Sequence, residues 1–281
     1  MSFLNPSVPA IGHRRQSTVA DDVDFEIKGA EMQFVEIELD PGESAIAEAG
    51  AMMYKHPVIG MDTVFGDASA QQGGLFGKLM GAGKRLLTGE SLFMTLFTHQ
   101  GRGKARVAFA APYPGKIMPV KLTEVGGVLI CQKDSFLAGA KGVSISIAFQ
   151  QRIMTGLFGG EGFIMQRLEG DGWVFVHAGG TVLERDLAPG EELHVDTGCI
   201  VAMTGGVDLD IVAAGGIKTG LFGGEGFFFA RLMGPGRIWL QSLPFSRLAG
   251  RMLAAAPGVT GGGSEEGSIL GGLGNIFDGD N

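Results

Sequence analysis

The sequence predicts an all-β fold in which three tandem, pseudo-repeated subdomains of sandwich or barrel type are followed by one short C-terminal helix. The first observation is duplication: residues 218–227, Lys-Thr-Gly-Leu-Phe-Gly-Gly-Glu-Gly-Phe, repeat residues 154–163, Met-Thr-Gly-Leu-Phe-Gly-Gly-Glu-Gly-Phe, 64 positions earlier. A fixed period of this kind means that each copy is one supersecondary unit and that the architecture follows from how the units stack. The second observation is alternation with period two in Val35-Glu36-Ile37-Glu38-Leu39, Val143-Ser144-Ile145-Ser146-Ile147, Glu192-Leu193-His194-Val195-Asp196 and Val207-Asp208-Leu209-Asp210-Ile211. Such alternation marks half-buried antiparallel strands. The third is glycine, 49 of 281 residues, spread through apolar segments at turn positions, with neither a collagen period nor a low-complexity tract.

Residues 1–22 mix Pro, Ser, His and Arg without periodicity and read as a disordered tail, as do the Gly-rich, acidic residues 257–281. Between them, residues 23–256 make one composite β domain with subdomains of about 23–115, 116–170 and 171–256. In the first subdomain Asp40-Pro41-Gly42-Glu43 is the same turn as Ala188-Pro189-Gly190-Glu191 in the third, and each is followed by a further glycine, Gly50 or Gly198, at the head of an apolar run. Thr88-Gly89-Glu90-Ser91-Leu92-Phe93 stands where the later copies have Gly-Gly-Glu-Gly-Phe. The first copy therefore carries roughly 13 extra residues, placed between Met61 and Arg85. The middle subdomain keeps the Glu161 turn and has lost the Pro-Gly-Glu turn.

Denser apolar segments, at Leu92 to Phe97, Arg106 to Phe109, Trp173 to Val176 and Phe227 to Ala230, predict strands buried on both faces. Leu248, Met252 and Leu253 recur at helical spacing behind Ser246, a candidate N-cap, which predicts a helix over 246–256 with its apolar stripe packed on the sheet.

The paired Leu-Phe-Gly-Gly-Glu-Gly-Phe segments, Leu187-Ala188-Pro189-Gly190-Glu191 before Val195-Asp196-Thr197-Gly198, and the closing Gly234-Pro235-Gly236-Arg237-Ile238-Trp239-Leu240-Gln241-Ser242-Leu243-Pro244 carry a family resemblance. Over about Phe25 to Met252 the chain resembles the altered inheritance of mitochondria protein 24 family, a bacterial group whose eukaryotic relatives are mitochondrial proteins linked to inner-membrane organisation. The resemblance implies three tandem subdomains like those of the tryptophan RNA-binding attenuation protein, each a β-sandwich or double-stranded β-helix, and implies trimerisation. It brings no activity, substrate or catalytic residue.

Chemistry is sparse in the sequence. A net charge of −8 opposes binding to a phosphate backbone, so nucleic acid is not an expected partner. Cys131 and Cys199 lie in apolar runs with no Cys-x-x-Cys or His partner spacing, which fits buried thiols in a reducing compartment. With no apolar run near the roughly 18 residues of a membrane span and no secretory signal, a cytoplasmic location is expected. His56, His99, His177 and His194 form no metal-ligand spacing, and His194 with Asp196 reads as the solvated face of one strand. No cofactor and no metal are expected.

Two sets of candidate residues remain. Glu90, Glu161 and Glu225 occupy equivalent points of three Gly-rich turns, where they either converge as carboxylates able to bind a cation or serve as the polar residue of a tight turn. Leu75, Phe76, Leu79 and Met80, in the extra stretch of the first subdomain, form either an interaction loop or lid or a wandering connection. The sequence thus points to a non-catalytic assembly or scaffold protein with protein partners and peripheral membrane contact, homotrimeric as the resemblance implies. The alternative is a small-molecule binder or unrecognised enzyme with a pocket in or between the β subdomains.

Overall fold

Short β-branched and aromatic runs cut by glycine turns favour antiparallel hairpins, and a computed structural model shows 19 strands and one α-helix among its described residues. Those residues are 19–48, 50–65, 93–151, 162–213 and 228–255. A leading strand, β1 (Asp24–Lys28), precedes three modules of six strands each. The first contains β2 (Phe34–Leu39), β3 (Ser44–Glu48), β4 (Met52–Lys55), β5 (Ile59–Phe65), β6 (Phe93–His99) and β7 (Ala105–Ala110). The second contains β8 (Gly115–Lys121), β9 (Val128–Gln132), β10 (Phe136–Ala140), β11 (Ser144–Gln151), β12 (Phe163–Glu169) and β13 (Trp173–Gly179). The third contains β14 (Val182–Leu187), β15 (Glu192–Asp196), β16 (Ile200–Thr204), β17 (Asp208–Ala213), β18 (Phe228–Met233) and β19 (Gly236–Gln241), and α1 (Phe245–Ala255) follows.

All three modules pair their strands identically and antiparallel. The sixth strand lies between the first and third, and the fifth between the second and fourth: β7 between β2 and β4, with β6 between β3 and β5; β13 between β8 and β10, with β12 between β9 and β11; β19 between β14 and β16, with β18 between β15 and β17. Even the irregularity repeats, because the third strand of every module breaks register at the same place, between Met52 and Tyr54, Phe136 and Ala138, and Ile200 and Ala202. This pairing groups β13 with β8, so the middle module runs past Gly170 to Gly179.

The modules join edge to edge. The second strand of one module pairs with the third strand of the next, β3 with β10 and β9 with β16, which creates two six-stranded sheets, β5-β6-β3-β10-β13-β8 and β11-β12-β9-β16-β19-β14. A four-stranded sheet, β1-β2-β7-β4, and a three-stranded sheet, β15-β18-β17, are left at the two ends. One core cluster draws on all three modules, with Ile46 and Met94 from the first, Cys131 and Phe136 from the second, and Val201 and Trp239 from the third. Burying a large apolar side chain of this kind contributes roughly 1.5–3 kcal/mol of transfer free energy, so the shared cluster ties the three modules together.

The duplicated turns are structurally the same. Asp40 N–H donates to the Glu43 carboxylate at 2.8 Å and Ala188 N–H to the Glu191 carboxylate at 2.9 Å, while Gly42 and Gly190 hold φ of +92° and +77°. Glycine adopts that left-handed backbone without a Cβ penalty. In the middle module a 3₁₀ turn, Leu122–Val125, ending at Gly126 and Gly127 with φ of +76° and +80°, takes the place of Pro-Gly-Glu.

Two local expectations change. Glu36, on the polar side of the alternating β2, is buried: the Tyr54 hydroxyl donates to it, and Lys28 and Arg106 lie 2.9 and 3.2 Å from its carboxylate. Helix α1 begins at Phe245, so Ser246 lies inside it, and Phe245, Met252 and Leu253 are exposed rather than packed on the sheet.

Candidate functional site

The turn residues Glu90, Glu161 and Glu225, and the loop residues Leu75, Phe76, Leu79 and Met80, lie outside the described residues. The flanking strands nevertheless fix their correspondence. Thr95, Gln166 and Ala230 pair with Ala47, Cys131 and Val195 at equivalent points of the fifth and second strands. Each glutamate precedes its reference residue by the same number of positions, within the connection from fourth to fifth strand.

The same registers bring out a set that the sequence did not single out: Glu48, Gln132 and Asp196 each end the second strand of a module, one residue beyond Ala47, Cys131 and Val195. Burial pushes the Glu48 carboxyl up to about 7, with the Asp134 carboxylate adding to the rise. Burial likewise pushes the Cys131 thiol up, with Glu48 contributing. Gln132 is buried, and the Asp196 carboxylate accepts from Gly198 N–H at 2.8 Å, capping the turn Thr197–Cys199. The legible signal was a polar residue at the last position of each second strand.

Of the histidines, His99 and His177 are buried, and neither ring nitrogen of either one reaches a well-formed hydrogen bond among the described residues. His177 stands edge-on to the Tyr113 ring, 4.4 Å between centroids, and burial lowers it to about 4. Burial also raises the Tyr113 phenol to about 12. His194 is exposed beside Glu192 at 2.9 Å, as the alternation of β15 predicts. Cys131 is buried and Cys199 partly so, and neither forms a disulfide. Among the described residues no group of three or more His, Cys, Asp or Glu side chains is placed to hold a metal ion, and no helix is long and apolar enough to cross a membrane.

Between the second and third modules lies an open cleft of about 660 Å³, lined by Glu124, Arg167, Asp186, Thr204 and Arg237 among others. Its charges are largely met by one another and by neighbours: Arg237 Nε donates to Asp186 at 2.8 Å and Arg167 Nε to Glu169 at 3.1 Å. Among the described residues, none of the histidines singled out from the sequence lines it.

The largest departure from the repeat is at the two free edges. Met53 is 55% exposed, whereas its counterparts Leu137 and Val201 are 3% and 0% exposed. The whole of β10 is buried and β16 nearly so, but Met52, Met53 and Tyr54 of β4 face solvent. At the opposite end, β15 exposes Glu192 and His194, where the corresponding strands β3 and β9 are covered by a following module.

A family model described as mitochondrial biogenesis AIM24 matches residues 25–243. An uncharacterized protein of Streptococcus pyogenes serotype M6 is 31% identical over 231 residues, spanning 80% of this chain and 88% of that one. The crystal structure of a Streptococcus pyogenes protein superposes with a TM-score of 0.65 at 25% identity, covering 83% of this chain and 100% of that chain. Repeat order, turn chemistry, shared fold and the extent of these matches agree, and the chain belongs to the mitochondrial biogenesis AIM24 family.

Proposed function

We propose that the protein is a non-catalytic scaffold that works as a homotrimer, presenting its outer surfaces to protein partners at a membrane surface. The observation that carries this reading is the exposed Met52-Met53-Tyr54 edge, in a position that both other modules bury completely. An exposed, apolar strand edge invites pairing with another chain unless something covers it, and closed symmetric homo-oligomers are the usual solution. Helix α1 supports the membrane part: Phe245, Met252 and Leu253 are exposed on a short helix that also carries Arg247 and Arg251, the side-chain pairing of an interfacial helix. Native mass spectrometry at micromolar concentration tests the assembly. A trimer mass is expected, and a monomer overturns the reading.

One observation favours a second reading, a small-molecule binder using the cleft between the second and third modules. A volume of about 660 Å³ with two arginines on its wall suits a small anionic compound. A co-purifying anion released by unfolding, and lost in Arg237→Gln, would establish it.

A further inference from the structure

The scaffold reading leaves open which surfaces join the copies, and the repeat itself answers this. We propose that copies join head to tail, β15 of one chain pairing antiparallel with β4 of the next, in continuation of the two junctions inside the chain. This rests on the homo-oligomeric reading above and specifies its interface.

Every module has four strands that end a three-stranded half-sheet. Among the described residues, the fourth-strand edge has no further strand in any of the three modules, and the first-strand edge has none or, in the first module, is covered by β1. The second-strand and third-strand edges behave differently: they are consumed by module-to-module pairing in β3–β10 and β9–β16. Among the described residues, only the third strand of the first module, β4, and the second strand of the last, β15, lack this partner. They are the two complementary halves of a junction already made twice.

The register follows without adjustment. After the shared bulge, Tyr54, Ala138 and Ala202 occupy the same place, opposite Ala108, Phe175 and Trp239 of their central strands. Ala138 pairs with Ala47 and Ala202 with Cys131, and the residue equivalent to Ala47 and Cys131 in β15 is Val195. Tyr54 of one copy therefore faces Val195 of the next, and Lys55 faces His194.

The side chains suit that register. Lys55 comes to lie diagonal to Glu192 and Asp196, within reach of a long side chain on a neighbouring strand, so a cation meets two carboxylates. Met52 and Met53 move into the environment that Phe136, Leu137, Ile200 and Val201 already occupy. Because the joined surfaces are different, the contact is heterologous, and it closes into a ring when the rotation per chain permits.

The test is a Tyr54→Cys, Val195→Cys double variant in a Cys199→Ser background, oxidised in its native assembly and run without reductant. Directly opposed antiparallel residues place Cβ atoms about 4.5–5.5 Å apart, close enough for a disulfide after small adjustment. Interchain dimers and trimers are expected, and neither single-cysteine variant forms them. Met53→Lys, at an exposed position that leaves the fold intact, is expected to weaken association at least about tenfold with an unchanged circular dichroism spectrum. An intrachain link in a monomer would show the two edges closing on each other and would overturn the proposal. A wild-type trimer with no cross-link, and with Met53→Lys still trimeric, would overturn the pairing while leaving the homotrimer standing. A monomeric wild type would remove both.

Discussion

Strand β4 and its counterparts β10 and β16 start from the same pattern and finish in opposite environments. All three bulge after their first residue and pair with the sixth strand of their own module. What differs is the far edge. Beyond β10 stands β3, and beyond β16 stands β9, while no strand among the described residues pairs with the far edge of β4. The side chains follow this difference. At the covered edges the residues are Phe-Leu-Ala-Gly-Ala and Ile-Val-Ala-Met-Thr, small where two sheets must approach and free of charge. At the open edge they are Met-Met-Tyr-Lys, apolar but flexible, with the phenol turned onto Glu36 and the Lys55 ammonium on the Ile59 carbonyl at 2.7 Å. Methionine tolerates irregular and changing surroundings, which suits an edge that is wet in one state and covered in another.

The comparison is broken most sharply by placing a charge at the equivalent bulge position. Leu137→Asp or Val201→Asp buries an unpaired carboxylate in a filled junction and is expected to cost about 3–5 kcal/mol. Met53→Asp should change monomer stability by no more than about 0.5 kcal/mol. Urea denaturation of the three variants measures the gap; equal losses would mean that β4 is as buried in the isolated chain as its counterparts.

A second measurement separates the closed junction from its surroundings by pH. Because the folded Glu48 carboxyl is raised from 4.5 to about 7, protonation favours the folded chain. Its contribution is full below about pH 4.5 and is lost as pH rises through 7, on the order of 3 kcal/mol. His177 acts in the other direction: lowered from 6.5 to about 4, it leaves stability intact above pH 6.5 and removes it as pH falls toward 4. Glu48→Gln should flatten the alkaline limb of a stability–pH curve, and His177→Phe the acid limb. Unchanged limbs would show that neither group senses its burial.

Smaller effects sharpen the open edge. Tyr54→Phe leaves Glu36 with only Lys28 and Arg106 as partners and should lower stability by about 1 kcal/mol, read by thermal unfolding at fixed protein concentration. Smallest of all, Arg237→Gln removes an exposed pair with Asp186 and should leave the urea midpoint unmoved. A clear shift there would give the cleft a structural role.

Much of the fold was legible because it is written twice. Gly42 and Gly190 sit in matching Pro-Gly-Glu turns, and the alternation of residues 192–196 and 207–211 announced β15 and β17 as half-buried strands. Turns and alternation are local properties, so a linear reading finds them. Helix α1 was legible as a helix for the same reason, but not its exposure, which depends on whether any sheet lies beneath it. Glu36 and Glu48 were misjudged or passed over for a related cause: an alternating strand puts a carboxylate outward, and only Tyr54 or the next module's Lys133 and Asp134 decides whether outward means solvent.

By itself the sequence determined that one β unit occurs three times, where its turns fall and which residues alternate, since these depend on backbone conformation and on neighbours a few residues away. The tertiary structure alone decided that second strands pair with third strands across modules, and hence that Ala47 and Cys131 are sealed while Met53 stands in water. Pairing across modules is set by which apolar edges meet in space, and two strands of nearly equal pattern differ only in whether a neighbouring module stands beside them to cover them.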